Sequence, residues 1–163
     1  MSGLITTFFG VGLLKPAPGT WGSLAAVMLA LALYQLGLWW AVPVAAVLAT
    51  VAGFWAVPLA TAGKADADPG EIVIDEVAGQ LLALSFTFIP LGRHGIDVFA
   101  AWPAFVAPFL LFRLFDIWKP WLVGRADRRG DAPGVMLDDL WAGLFAGIVS
   151  VLLAGLYHGV MRL

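Results

Sequence analysis

The chain has 163 residues, of which 61% are hydrophobic and only 12% are charged, and its formal net charge is −2. Soluble domains carry about 25% charged and about 45–50% apolar residues, so this composition excludes an ordinary soluble domain. The absence of cysteine excludes disulfides, a thiolate nucleophile and zinc–sulfur sites. Length and composition together predict a single membrane-embedded domain over residues 1–163, folded as an all-α polytopic helical bundle.

An apolar stretch at residues 3–14 comes first. It is too short to cross a bilayer, which takes about 20 residues, so we predict a short N-terminal interfacial helix there. Residues 15–23 follow with two prolines and two glycines, a pattern that interrupts helices. Thr20 or Ser23 can cap the helix that comes next.

Five apolar segments are then predicted to span the membrane, at residues 24–40, 44–62, 72–90, 97–117 and 136–160. The count becomes four or six depending on residues 3–14 and on a kink that Pro103 and Pro108 predict in the fourth segment. Residues 118–135 form the longest polar loop. Glycines four positions apart in the last segment predict close helix contacts at Gly143 with Gly147 and at Gly155 with Gly159.

The charges are distributed unevenly across these segments. Alternate threading of five spans puts seven of the nine Lys and Arg residues on one side, with only Arg93 and Arg162 opposite. By the positive-inside rule, the side with seven is cytoplasmic. Ten of the eleven acidic residues fall on that side as well. Because acids do not set the orientation, their clustering separately predicts one polar site at one face of the bundle.

Two pairs of adjacent carboxylates each stand at the head of an apolar helix. Helix dipoles favour an acid there by about 0.3–1 kcal/mol, but an ionisable group inside a membrane segment costs about 2.5–3.5 kcal/mol. Neighbouring carboxylates also repel one another unless a cation intervenes, and oxygen-only ligands favour magnesium, manganese or calcium over zinc. We therefore predict metal ligation by Asp75, Glu76, Asp138 and Asp139.

The end of the fourth segment carries Arg113, Asp116 and Lys119 at positions i, i+3 and i+6, which predicts one polar stripe on a helix. Two cations beside a carboxylate–metal site indicate a phosphate ligand, which arginine binds bidentately and lysine as a point charge. Each cation taken alone also fits a side chain snorkelling to the membrane interface.

Two loops add further candidates. A glycine-rich entry to a helix offers main-chain amides to an anion, which makes Lys15, Thr20 and Gly22 candidate substrate-binding residues. Asp68 and Glu71 lie in the loop before the first acidic pair, and either is a candidate general base or further metal ligand. The alternative for both is a solvated loop acid.

Four stretches in series resemble the phosphatidylglycerophosphatase A family, the membrane phosphatases of bacterial glycerophospholipid synthesis. They are residues 18–23 (PGTWGS), 68–76 (DPGEIVIDE), 112–121 (FRLFDIWKPW) and 134–139 (GVMLDD). The family often has a proline after the tryptophan of the third stretch, where this chain has Leu122. We do not expect that departure to affect the chemistry.

The resemblance implies a magnesium-dependent hydrolysis of phosphatidylglycerophosphate to phosphatidylglycerol and inorganic phosphate, at the cytoplasmic face of the bacterial inner membrane. One or two Mg²⁺ ions would be held by the two acidic pairs. Arg113 and Lys119 would neutralise the phosphoryl oxygens, and Asp116 would orient these cations or add a ligand. Water is the preferred nucleophile, with attack by an aspartate left open. The expected partners are the membrane and its lipid substrate, with no nucleic acid, and the oligomeric state stays open.

A cation-coupled membrane transporter is the competing hypothesis, because intramembrane acids often bind cations in transporters. A transporter would place its acids near the middle of the bilayer. Here the acids fall at one face, which favours an enzyme.

Overall fold

The computed structural model describes residues 2–63 and 69–160. Over these residues it contains helices and turns without any strand, which confirms the all-α fold class. A short 3-10 helix at Val11–Leu13 lies between the first two α-helices. The α-helices are α1 (Ser2–Thr6), α2 (Pro18–Gln35), α3 (Ala41–Thr61), α4 (Ile74–Arg93), α5 (Pro103–Trp118), α6 (Leu122–Asp127) and α7 (Ala132–Val160).

Helices α2, α3, α4, α5 and α7 overlap the five predicted segments, but their boundaries differ at the prolines. α2 begins at Pro18, because proline is tolerated in the first helical turn, where the amides have no intrahelical acceptor. Thr20 and Ser23 therefore lie inside α2, and the capping role predicted for them is wrong. Pro103 likewise begins α5, so only Pro108 lies within that helix.

The segment predicted as a long polar loop, residues 118–135, contains α6 and the start of α7. Val123 and Ala126 of α6 are buried, and α6 packs against α7. The Asp131 carboxylate accepts a hydrogen bond from the Gly134 main-chain N–H at 2.8 Å, which caps the start of α7. The loop prediction is wrong here because a few buried apolar side chains anchor a short helix among polar ones.

α4 is the central helix of the bundle and packs against α2, α3, α5 and α7. It crosses α7 where two glycines meet. A Cβ on Gly79 would lie 2.6 Å from the Phe112 ring and would overlap the Asp139 main chain, and a Cβ on Gly143 would overlap the Gly79 main chain. This close crossing brings the first turns of α4 beside the acidic residues of α7.

The small residues of α7 do not all make contacts. Gly143 packs on α4, and Gly147 lies against the Phe86 ring, so the close contacts predicted for this pair are confirmed. A Cβ added at Gly155 would have none of the described atoms within 4 Å, so the contact predicted there is not made within the described part of the chain. Residues 151–158 are exposed all round the helix.

Among the described residues, three helical segments are long and apolar enough to cross a membrane: Ala41–Thr61, Ile74–Arg93 and Ala132–His158. Five spans are not confirmed. The 16 residues of α5 rise only about 24 Å, less than the hydrocarbon thickness of about 30 Å. Apolar side chains on the outside of α3 are exposed, as expected for a surface that faces lipid: Val47, Leu48, Val51 and Leu59.

The N-terminal segment packs beside the entry to α4. The Thr6 carbonyl accepts a hydrogen bond from the Val73 main-chain N–H at 2.8 Å, and Thr6 is buried. α1 covers only part of the predicted helix at residues 3–14, and its position at a membrane interface stays a prediction.

Candidate active site

Three carboxylates meet where α4 crosses α7. Asp75 and Glu76 lie in the first turn of α4, and Asp139 lies in the third turn of α7. One carboxylate oxygen from each lies within 4.8 Å of the others. Asp75 and Asp139 are only 4% and 3% exposed, so the cluster lies inside the bundle. The structure thus brings together one predicted pair and one member of the other.

Two oxygen atoms in this cluster have unused acceptor capacity. Glu76 Oε2 and Asp139 Oδ1 are buried without a hydrogen-bond partner in the described part of the chain. Buried charged groups in native proteins are normally paired or coordinate a metal. Three clustered carboxylates with only oxygen donors suit a hard divalent cation such as Mg²⁺ or Ca²⁺. The residues present therefore fit the metal that the resemblance implies.

Asp138, the fourth predicted ligand, lies in a different environment. Its carboxylate accepts a hydrogen bond from Lys119 Nζ at 3.0 Å. Lys119 also donates to Asp127 of α6, so the ammonium group bridges two carboxylates. Burial alone would lower the pKa of Lys119, but its hydrogen bonds to Asp127 and Asp138 raise it above the usual range. Lys119 therefore stays charged and neutralises Asp138.

Lys119 does not continue the polar stripe that its spacing predicts. α5 ends at Trp118, and Lys119 takes left-handed backbone angles of φ 51° and ψ 52°. The chain therefore turns at Lys119, whose ammonium group lies against α6 and α7 instead of beside Asp116. Helical spacing fails here because it presumes that the helix extends through the residue.

Arg113 and Asp116 do share one face of α5. Arg113 Nη1 lies 2.8 Å from Asp116 Oδ2, as their spacing of three predicts. The same Nη1 lies 3.4 Å from the Ser23 hydroxyl of α2. Arg113 Nε is buried and has no partner among the described residues. The guanidinium is thus anchored at one nitrogen and retains a free donor at another.

Gly19 connects this arginine with the acidic cluster. A Cβ at Gly19 would lie 3.3 Å from Arg113 Nη1 and would overlap the Glu76 carboxylate. Glu76 and Arg113 therefore both approach the first turn of α2. Carboxylates that can hold a metal and a cation that can bind phosphate thus meet at one place, an arrangement suited to phosphoryl transfer.

The predicted substrate-binding residues lie near this place or outside the site. Lys15 is exposed, and Thr20 is half-buried in the first turn of α2. A Cβ at Gly22 would lie 2.8 Å from the Val73 Cβ, so Gly22 allows α2 to pack against α4. Asp68 lies outside the described residues.

Sequence reasoning missed four residues that the structure associates with the site. Gly19 and Ser23 lie within the stretch at 18–23, and their spacing of four places them on one helix face. Gln80 is fully buried, four residues after Glu76 on α4, and its two amide atoms have no hydrogen-bond partner among the residues that the structure describes. Asp127 lies in residues 118–135, the segment that the sequence predicts as a polar loop. The spacing of four between Gly19 and Ser23, and between Glu76 and Gln80, is the sequence signal that could have identified three of these residues. Asp127 has no such signal.

Comparisons with known proteins agree with the resemblance. The protein-family model of phosphatidylglycerophosphatase A matches residues 4–154. Phosphatidylglycerophosphatase A of Haemophilus influenzae is 35% identical over 147 residues, which cover 90% of this chain and 84% of the relative. The Escherichia coli protein of the same name is 32% identical over 148 residues, covering 90% and 80%. A putative phosphatidylinositol-3-phosphatase of Bacteroides thetaiotaomicron is 37% identical over 154 residues, covering 90% and 89%. No solved structure matches.

Proposed function

The chain belongs to the phosphatidylglycerophosphatase A family, and we propose that it hydrolyses phosphatidylglycerophosphate to phosphatidylglycerol and inorganic phosphate in a magnesium-dependent reaction. The observation that carries the proposal is that Asp75, Glu76 and Asp139 meet near Arg113 where apolar helices pack together. A soluble phosphate ester would not require apolar helices around its binding site. A lipid phosphate places its charged head at such a boundary and its acyl chains among the helices.

The acidic cluster is the proposed magnesium site. Asp75, Glu76 and Asp139 would hold the ion, and the unpartnered oxygens of Glu76 and Asp139 support this assignment. When bound, Mg²⁺ supplies Lewis-acid polarisation of the phosphoryl group and a lowered pKa for coordinated water. In its absence the carboxylates repel the anionic substrate, which makes metal dependence an electrostatic requirement.

The cations bind the substrate phosphate in this proposal. Arg113 carries a buried Nε donor without a protein partner, and Asp116 orients its guanidinium. Lys119 donates two hydrogen bonds to carboxylates, but an ammonium group has three donors, so one remains for a phosphoryl oxygen. Thr20 and the main-chain amides in the first turn of α2 would hold a further oxygen.

The reaction we propose is an in-line attack by water on phosphorus. The new bond joins the water oxygen to phosphorus, the bond from phosphorus to the glycerol oxygen breaks, and the departing alkoxide takes up a proton. Asp68 is the proposed base that accepts the proton of the attacking water. The site is proposed to face the cytoplasm at the bacterial inner membrane, and the predicted distribution of basic residues supports the cytoplasmic orientation.

Phosphate release from phosphatidylglycerophosphate in detergent tests the proposal, because a transporter has no gradient to use there. We expect release with Mg²⁺, none with chelator, and a loss of at least about 100-fold in Asp75→Asn and Asp139→Asn. Asp97→Asn is the matched control, since Asp97 is exposed and its carboxylate accepts hydrogen bonds from the Phe99 and Ala100 amides.

The outcomes separate the competing hypotheses. If the folded wild-type protein releases no phosphate with any divalent metal, the enzyme hypothesis is overturned and the transporter hypothesis is favoured. Release that survives both substitutions would keep the reaction and refute the proposed metal site. Phosphatidylinositol 3-phosphate should be assayed in parallel because one relative carries that name. Faster hydrolysis of that lipid would change the head group assigned to the substrate and would leave the proposed site unchanged.

A further inference from the structure

Ser23 is a buried hydroxyl with a defined proton direction. It lies in the second turn of α2 and is 0% exposed. Its Oγ donates its one proton to the Gly19 carbonyl, four residues back, at 2.9 Å. With that proton committed, the hydroxyl oxygen can only accept. The nearby donor is Arg113 Nη1 at 3.4 Å.

Arg113 is consequently held from two helices. Asp116 binds Nη1 at 2.8 Å from within α5, whereas Ser23 approaches the same nitrogen from α2. An ion pair within one helix moves with that helix and leaves the guanidinium free to swing about its own stem. A second acceptor on another helix fixes the plane of the group and therefore the direction of its unpartnered Nε–H.

We propose that Ser23 is a positioning residue for Arg113, setting the direction in which the free guanidinium donor meets a phosphate oxygen. This inference rests on the proposed phosphatase function. Gly19 contributes by leaving room, because a Cβ there would crowd Arg113 Nη1 at 3.3 Å. Ser23 itself touches no substrate in this arrangement and acts through Arg113.

Removal of the Ser23 hydroxyl by Ser23→Ala is the first test. Ser150→Ala is a matched control, because Ser150 is also buried in a helix and donates to the carbonyl four residues back, that of Ala146, at 2.7 Å. We expect kcat/KM to fall about 3- to 10-fold in Ser23→Ala, because a contact as long as 3.4 Å is worth about as much as one ordinary hydrogen bond, and to stay unchanged in the control. Ser23→Thr, which keeps the hydroxyl, should restore most of the activity.

A second readout does not depend on catalysis. The Nε–Hε cross-peak of Arg113 in a ¹⁵N–¹H spectrum can be assigned by its loss in Arg113→Lys, and it can be titrated with inorganic phosphate. In Ser23→Ala we expect this peak to be displaced before phosphate is added and to respond less to phosphate. In Ser150→Ala the peak should match the wild type.

When the wild type hydrolyses the lipid phosphate, only the joint change of both readouts in Ser23→Ala supports the proposal. An unmoved peak overturns it, because Ser23 then does not hold Arg113, and so does a displaced peak with unchanged kinetics. If the wild type hydrolyses no lipid phosphate, the proposed function fails, and the phosphate titration of the peak alone decides whether Ser23 positions Arg113. If Ser23→Ala does not fold, Ser23→Cys replaces it, because sulfur keeps the volume and is a weak acceptor.

Discussion

Substitution of Gly79 by alanine should separate α4 from α7 at the site. The added Cβ would lie 2.6 Å from Phe112 Cε2 and 2.9 Å from the Asp139 carbonyl carbon, whereas an ordinary contact is 3.4 Å or more. The ring and the main chain must therefore move by several tenths of an ångström. The neighbouring atom is main chain, so a rotamer change cannot relieve the overlap. Asp139 moves with its backbone, away from Asp75 and Glu76.

The expected magnitude follows from a comparison with Gly155→Ala. Alanine gains up to about 1 kcal/mol over glycine in a helix, and both variants share that gain. Overpacking costs about 1–3 kcal/mol and applies only at Gly79, since a Cβ at Gly155 meets no atom within 4 Å. The free energy of unfolding of Gly79→Ala should therefore fall below that of Gly155→Ala by about 1–3 kcal/mol.

Unfolding of both variants in one detergent measures this difference, and Mn²⁺ binding followed by electron paramagnetic resonance reports the acidic cluster. Catalytic groups tolerate displacements of only about 0.5 Å, so Gly79→Ala should also bind Mn²⁺ more weakly and lose activity. Equal unfolding free energies in the two variants, with Mn²⁺ binding unchanged, would refute the close helix crossing. Equal unfolding free energies with lost Mn²⁺ binding would instead locate the effect in the cluster alone.

Two further perturbations test the surroundings of the cluster. Gly19→Ala should weaken Mn²⁺ binding without unfolding the chain, because its Cβ would displace the Glu76 carboxylate, whereas Gly3→Ala, with open space around it, should change neither property. Unchanged Mn²⁺ affinity in Gly19→Ala would remove Glu76 from the metal site. Lys119→Met should lower the free energy of unfolding by about 1.5–3 kcal/mol, because the Asp138 side chain, 9% exposed, loses its cation. Adding Asp138→Asn to Lys119→Met should recover part of that loss. If the loss in the double variant equals the sum of the losses in the two single variants, the two residues are not coupled.

Composition and motifs were sufficient to predict the class of the protein and the kinds of residue at its site. Composition alone excludes an ordinary soluble domain, and apolar runs locate five of the seven α-helices found in residues 2–63 and 69–160. The pairing of Arg113 with Asp116 follows from their spacing along one helix, because residues three and four apart share a face. Four motifs in order indicated the family that the comparisons report.

The tertiary structure alone decided which residues meet. Asp138 and Asp139 are adjacent in sequence, yet one lies beside Lys119 and the other beside Asp75 and Glu76. Successive helical residues point about 100° apart, so the two members of a pair can face different helices, as Asp138 and Asp139 do. Which helices those are depends on the crossing at Gly79 and on packing between segments far apart in the chain. Local periodicity carries no information on that, and the contact of Ser23 with Arg113, 90 residues away, could be found only in the folded chain.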